Sequence, residues 1–515
     1  MPVFSEPQTI LQTQSAPPLP TELWSSPATS PVAWGWLSGL SILALILRTF
    51  ALNQQLWFDE IITLLDSVRF PLREIVTHYN GQNQHTLYSI LAHGSIRLLG
   101  EHSWTLRLPA VLFGVACVPA LYFFARLVTS NAEALAACAL MTVNYQHIWF
   151  SQNARGYTAM AFWALLTSIF FIRFVSRGTG YDWVLYGITA ALGIYTHLMM
   201  MFVVAAQAVV YLWMLFAAAR SDGRLPRRGF GLAHGFGLAI VISFLLYAPV
   251  IPGILSHTVG PAREHVRYQW ASPLWALAEL VRGLRTANAG GWLALAFGGC
   301  IALGGLVSYW RQNRFLVALM ILPGVVTAAG ILATSHNFWP RFFFFEIGFA
   351  LLIVARGAIL MARFVARSLG ASKSAASVAG ATLIALLVLA SLVPLRAAYV
   401  YPKQDYLGAM RFVQHRRQPG EQIATAGVVA IPYQRYYGQP WPMLETSAQV
   451  DNLLAGEHGT WLLYAMPDSI RTSEPELWHE IASKFSLVRR FGGTLGGGDI
   501  YVAHSNDNLA NTEDR

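Results

Sequence analysis

"HTLYSILAHGSIRLLG", residues 85–100, is apolar like a membrane span but too short to be one. A transmembrane helix needs about 20 residues, and the apolar stretch here runs for only about 15. Thr86, Ser89, His93 and Arg97 recur at helical spacing as a polar stripe, so the segment reads as a helix lying on the membrane surface. That choice decides the topology. Counted as a crossing, the segment would invert every later span and carry the cluster Arg220, Arg224, Arg227 and Arg228 to the opposite side.

The rest of the chain supports a membrane setting. Of its 515 residues, 55% are hydrophobic and 12% charged, with mean hydropathy +0.45, outside the range of a soluble globular domain. Apolar runs near bilayer length recur at roughly 32–52, 106–126, 134–152, 157–175, 183–199, 200–219, 230–252, 291–310, 315–334, 340–362 and 375–394. The expected architecture is a polytopic α-helical membrane protein of about 11 transmembrane helices over residues 31–395, with a first outer loop at 53–105. Residues 1–30, rich in Pro, Ser, Thr and Gln and charged only at Glu6 and Glu22, read as a disordered cytoplasmic tail. Cys117, Cys138 and Cys300 fall inside predicted spans, so no disulfides are expected.

Charge orients the bundle. Residues 1–395 carry a basic excess of +11, and the basics of one side sit in short connections such as "ARSDGRLPRRG", residues 218–229 less the first, a pattern typical of cytoplasmic loops. On the other side basics mix with acids, aromatics and most of the histidines, as around a site. Residues 396–515 then lie outside the cytoplasm. Their short apolar strands "EQIATAGVV", "TWLLYAM" and "GGDIYVAHS" alternate with helical stretches "DYLGAMRFVQHR" and "ELWHEIASKF", which predicts a small extracytoplasmic α/β domain. "GGTLGGGD" precedes a strand rather than a helix and reads as a hairpin turn, not a phosphate loop. A second amphipathic surface helix is expected over 274–285.

Several polar residues gather at the outer ends of the spans. Asp59 and Glu60, adjacent in "LWFDEIITLL", suit either a solvated helix start or a working pair, one carboxylate as general base and the other as a ligand or hydrogen-bond acceptor. Arg341, in "WPRFFFF", either snorkels to the interface or holds a lipid-linked phosphate with its paired donors, and Glu346, one to two turns deeper, is placed to orient it. Arg155, in "SQNARGYTAM", has the same two options. His85 and His197 suit buried structural roles or substrate contact, while Tyr157, Tyr195 and Trp339 suit interface aromatics or sugar platforms, which leaves Tyr157 a candidate substrate or metal contact. A His and carboxylate set binding a divalent metal stays open, although no HxxxE or HxH spacing supports it. No basic run with interleaved aromatics points to nucleic acid, and no nucleotide-binding βαβ unit is present in the sequence pattern.

Together the acidic pair after the first span, residues 83–128, "SQNARGYTAM", "YTHLMM" and "WPRFFFFEIGFALLIVA" resemble the bacterial branch of the GT-C membrane glycosyltransferases, and within it the protein O-mannosyltransferase-like and aminoarabinose transferase family. The resemblance covers roughly residues 32–365 and leaves 396–515 as a variable appendage. It implies sugar transfer from a polyprenyl-phosphate donor to an external lipid, protein or glycan acceptor, at the outer face of a bacterial plasma membrane. Asp59 and Glu60 match the family's first-loop acids, with Asp59 as the base. Arg341 and Phe342 match its donor-phosphate motif, although Phe stands where Tyr is common. His85-Thr86-Leu87-Tyr88 matches a surface-helix motif that usually carries proline, which makes His85 a phosphate contact and Tyr88 a substrate contact by resemblance. Two other classes fit the same architecture: a ligase moving a glycan from polyprenyl diphosphate, and a transporter or flippase of lipid-linked sugars. Clustering of ionisable residues at one face, and the lack of internal repeats, favour an enzyme.

Overall fold

A computed structural model describes residues 30–81, 83–177, 180–222, 231–258, 272–275, 291–456 and 458–505. The expected tail over 1–30 and the second surface helix over 274–285 lie almost wholly outside the described residues.

The segment that decides the topology forms a 14-residue helix, Thr86–Leu99. Its stripe is divided: Thr86 and Ser89 turn inward, His93 is half-buried and Arg97 is exposed. Thr86 and Ser89 are buried with Tyr88 and Ala92, while Leu91, Leu98 and Leu99 are exposed. The hydroxyl of Tyr88 donates to the Leu106 carbonyl (2.7 Å), Ser95 Oγ donates to Thr105 (2.7 Å), and His93 Nδ1 lies 2.8 Å from the Val68 carbonyl. Polar groups of this helix thus serve backbone carbonyls of neighbouring segments, which buried carbonyls require.

Eight helices among the described residues are long and apolar enough to cross a bilayer: Pro31–Thr49, Ser103–Arg126, Tyr157–Ser176, Met200–Arg220, Gly231–His257, Arg314–Ala333, Pro340–Ser368 and Lys373–Val400. Of the three further predicted spans, that at 291–310 forms the 22-residue helix Gly291–Gln312, and two come out differently. The one at 183–199 shortens to Asp182–Thr196. The span at 134–152 breaks into Asn131–Val143 and Tyr145–Ser151. Asn144 starts the second piece by accepting from the His147 N–H (2.9 Å). Arg48, fully buried, stabilises the break by donating to the carbonyls of Met141 and Thr142, both at 3.1 Å, which an unbroken helix would have used internally.

Beyond the last long helix lies a five-stranded sheet: β1 (Gln422–Ala426), β2 (Met443–Leu444), β3 (Thr460–Ala465), β4 (Ser486–Phe491) and β5 (Ile500–His504), in the order β2-β1-β3-β5-β4. β1 runs parallel to β2 and β3, whereas β5 is antiparallel to β3 and β4. The expected hairpin at "GGTLGGGD" connects β4 to β5. β3 is buried along its whole length, as a central strand covered on both faces should be. Alternation sends Leu462 and Tyr464 to a core shared with the domain's own helices. Trp461 and Leu463 enter a second core that also holds Leu56, Ile61, Leu64, Tyr88 and Leu106. The sheet therefore shares a hydrophobic core with the first loop and the Thr86–Leu99 helix. That is more than an appendage resting on the bundle.

Candidate functional site

The acidic pair faces two ways because a helix turns about 100° per residue. Both residues lie in the first turn of the short helix Phe58–Thr63. Glu60 points inward and is wholly buried. Its carboxylate takes a two-pronged ion pair from Arg107, Nε to Oε1 at 2.7 Å and Nη2 to Oε2 at 2.6 Å, and accepts the Ala154 N–H at 2.7 Å. Arg107 spends its remaining donors on the carbonyls of Leu52, Gln54 and Gln55, so all five of its N–H groups are used. Lys403, from the start of the C-terminal domain, brings its ammonium to 4.0 Å from Glu60 Oε1. Burial favours the neutral acid, but the Arg107 charge, then Lys403, outweigh it and hold the Glu60 carboxyl below its ordinary range. Burial in turn pulls the Lys403 ammonium down to about 7, opposed by Glu60.

Asp59 points into a different neighbourhood. Its Oδ2 receives Arg155 Nη1 at 3.0 Å and Arg341 Nη1 at 3.2 Å. Arg155 sits in the tight turn between Tyr145–Ser151 and the helix beginning at Tyr157, Arg341 in the 3₁₀ turn Pro340–Glu346, where Pro340 suits the first position. Arg341 also lies over the Trp339 ring, 4.7 Å from its centroid. Arg155 reaches Asn83 Oδ1 as well, and its Nη2 stands 3.1 Å from His85 Nε2.

Two histidines complete the cluster. His85 precedes the Thr86–Leu99 helix, and its Nδ1 accepts the Gly156 N–H at 2.8 Å. Gly156 is needed there: a Cβ would come within 3.0 Å of His85 Nδ1 and 2.9 Å of the Thr196 methyl. Burial, reinforced by the Arg155 charge, keeps the His85 imidazole neutral by pushing its pKa well below the usual value. His197 ends the Asp182–Thr196 helix, its ring 4.3 Å from that of His85, and its Nδ1 accepts the Met199 N–H at 3.2 Å. These bonds assign the proton of each neutral ring to Nε2. Tyr157 stands 5.3 Å from both rings.

The result is a surplus of donors. Among the described residues, the buried Arg155 Nε, His197 Nε2 and Tyr157 hydroxyl have no hydrogen-bond partner, and His85 Nε2 faces the Arg155 guanidinium donor to donor. Among the described residues Asp59 is the acid paired with Arg155 and Arg341, and both use the same oxygen of it. A cluster with this composition suits an anion supplied from outside.

Of the residues singled out from sequence, Asp59, Arg155, Arg341, His85, His197 and Tyr157 converge, drawn from five chain segments. Glu60 lies beside them but in the closed network. Tyr88 spends its hydroxyl on Leu106, and Glu346 accepts the Gly324 N–H at 2.7 Å rather than orienting Arg341. No group of three or more His, Cys, Asp or Glu side chains among the described residues is arranged to hold a metal ion. Sequence reasoning passed over Arg107, which reads as an arginine at a span end, and Lys403, which lies about 350 residues from the acids it meets.

Comparison with known proteins agrees with this picture. Residues 86–250 match the family described as dolichyl-phosphate-mannose-protein mannosyltransferase. No curated protein matches the chain. Among solved structures, ArnT from Cupriavidus metallidurans in the apo state is similar with a TM-score of 0.52, covering 94% of this chain and 100% of that one at 14% identity. ArnT from the same organism bound to undecaprenyl phosphate gives a TM-score of 0.50, with 93% and 99% coverage at 12% identity. At such identities the likeness is one of fold, and it includes the C-terminal domain. The chain is thus an integral membrane protein with the fold of these ArnT structures over nearly its whole length, and its residues 86–250 match the dolichyl-phosphate-mannose-protein mannosyltransferase family.

Proposed function

We propose that the protein transfers a sugar from a polyprenyl-phosphate carrier to an acceptor hydroxyl on the extracytoplasmic side of a bacterial plasma membrane, with Asp59 as general base. The observation that carries this reading is the set of buried donors beside Asp59, the Arg155 Nε, His197 Nε2 and Tyr157 hydroxyl, that have no partner among the described residues. Arg155, Arg341 and His85 are arranged to steady a phosphate, while Tyr157 and His197 offer it further hydrogen bonds. The similar fold of a protein that binds undecaprenyl phosphate supports the carrier class.

In the reaction, Oδ1 of Asp59 takes the proton of the acceptor hydroxyl as its oxygen attacks the anomeric carbon. The bond from that carbon to the phosphate oxygen breaks, and its electron pair leaves on the phosphate. The arginines, already fixed by Asp59 and Asn83, meet the growing negative charge without reorganising. Asp59 and the phosphate share the same two guanidinium groups, so arrival of the donor loosens their hold on Asp59 and leaves it a better base.

Purified protein in lipid vesicles, given synthetic polyprenyl phosphate sugars, tests this through release of free polyprenyl phosphate. Wild type is expected to release it, and Asp59→Asn to lose about 100-fold or more of the rate while folding normally, the scale of a general base. An Asp59→Asn protein keeping most of the rate would sink the assignment. Donors that bind without any release would favour the diphosphate-dependent ligase or the transporter instead.

A further inference from the structure

We propose that the C-terminal domain supplies positioning residues for this site: Lys403 and Gln404 hold the first loop so that Asp59 faces the arginines. This rests on the reading of Asp59 as the base.

The contacts run through one short strap. Gln404 is fully buried, and its Oε1 accepts the Phe58 N–H at 2.9 Å. That N–H is one of the orphan donors opening the helix on which Asp59 is the second residue, so Gln404 caps the helix from another domain. Lys403 is buried next to it, donates to the Gln152 carbonyl, lies 5.2 Å over the Trp149 ring, and stands 4.0 Å from Glu60. Its charge thereby joins the residue after Asp59 to the segment leading into Arg155. Gln55 adds a reciprocal clasp, donating to Asp405 Oδ1 (2.8 Å) and accepting the Leu407 N–H (3.0 Å).

The strap is itself pinned by the glycine-rich hairpin. Thr494 N–H donates to the Pro402 carbonyl (2.9 Å) and Leu495 N–H to that of Lys403 (3.1 Å). Only glycine fits at 493, where a Cβ would come 2.2 Å from the Lys403 carbonyl. Thr494 Oγ1 also accepts from Trp149 Nε1 at 3.0 Å. Hairpin, strap and first loop form three successive layers ending at Asp59. Lys403 touches neither Asp59 nor the open cluster directly. Its effect is on placement.

Full-length Lys403→Met and Gln404→Leu in lipid vesicles test this with a synthetic polyprenyl phosphate sugar as probe. In folded variants kcat is expected to fall about tenfold to a hundredfold, the cost of a displacement of about 1 Å at the reacting groups, with donor KM kept within about threefold. In parallel, backbone amides over 57–63 exchange hydrogen roughly tenfold faster than in wild type, while those of the distant helix Arg314–Ala333 do not change. Unchanged exchange over 57–63, or kcat within about twofold of wild type, overturns the proposal, as does a fall in kcat matched by the loss of folded protein. A wild type that releases no polyprenyl phosphate would defeat the transfer reading, and the exchange arm would still decide whether the strap holds the loop.

Discussion

Asp59 and Glu60 are neighbours in sequence and opposites in structure. The network around Glu60 is closed: every Arg107 donor has an acceptor, and Lys403 adds a further charge. The cluster around Asp59 is open, with several buried donors that have no partner among the described residues. Closed networks of buried charge hold a chain in place, because breaking one partner strands the other. An open one is tolerated where a ligand completes it. The contrast teaches that burial and charge alone do not mark a working residue. What marks it is the balance of donors and acceptors left over.

That contrast can be broken at several points. Glu60→Gln should do most damage to folding, on the order of 3–5 kcal/mol, since Arg107 is left buried without its anion. Thermal unfolding of the purified protein would show it, and a variant as stable as wild type would contradict the closed network. Acid acts on the same pair. The Glu60 carboxyl titrates lower in the fold than its ordinary value near 4.5, so the unfolded chain takes up the proton first as pH falls. Its contribution is whole above about 4.5 and is lost as pH drops through the lower folded value. Wild type should therefore lose stability in that window, and Glu60→Gln should show a flatter slope.

Changes in the open cluster should spare stability more and function less. Arg155→Gln is expected to raise donor KM about tenfold to a hundredfold, matching roughly 1.5–3 kcal/mol for hydrogen bonds to a charged group. An unchanged KM would remove Arg155 from the phosphate site. Tyr157→Phe is the finest probe, because its hydroxyl has no partner among the described residues. Stability should stay within about 0.5 kcal/mol, while donor KM rises a few-fold, roughly 0.5–1.5 kcal/mol. Equal KM for both proteins would leave the hydroxyl outside the donor site.

Much of this was legible beforehand, and the failures have physical causes. Asp59 and the five residues that converge around it could be named because polar and ionisable groups at the ends of apolar runs are costly and few. The span at 134–152 misled because its composition is apolar throughout, whereas its break depends on Arg48 reaching over from another helix. Glu346 was set beside Arg341 by spacing along one chain, yet its carboxylate found a nearer N–H on the helix Arg314–Ala333. Lys403 offered no local signal at all. Its domain looked separable because alternating strands and amphipathic helices describe a fold, not what that fold docks against.

The sequence by itself determined a membrane bundle with a small α/β domain, the brevity of the 85–100 helix, and the collection of polar residues near the span ends. Those properties follow from the length and period of apolar runs, which each segment carries locally. Only the tertiary structure decided that Asp59 faces two arginines while Glu60 is locked to Arg107, that Thr86 and Ser89 of the stripe on Thr86–Leu99 turn inward, and that Lys403 belongs to the first loop's charge network. These depend on which donors and acceptors packing brings within about 3 Å, and pairs separated by tens to hundreds of residues are set by the whole fold.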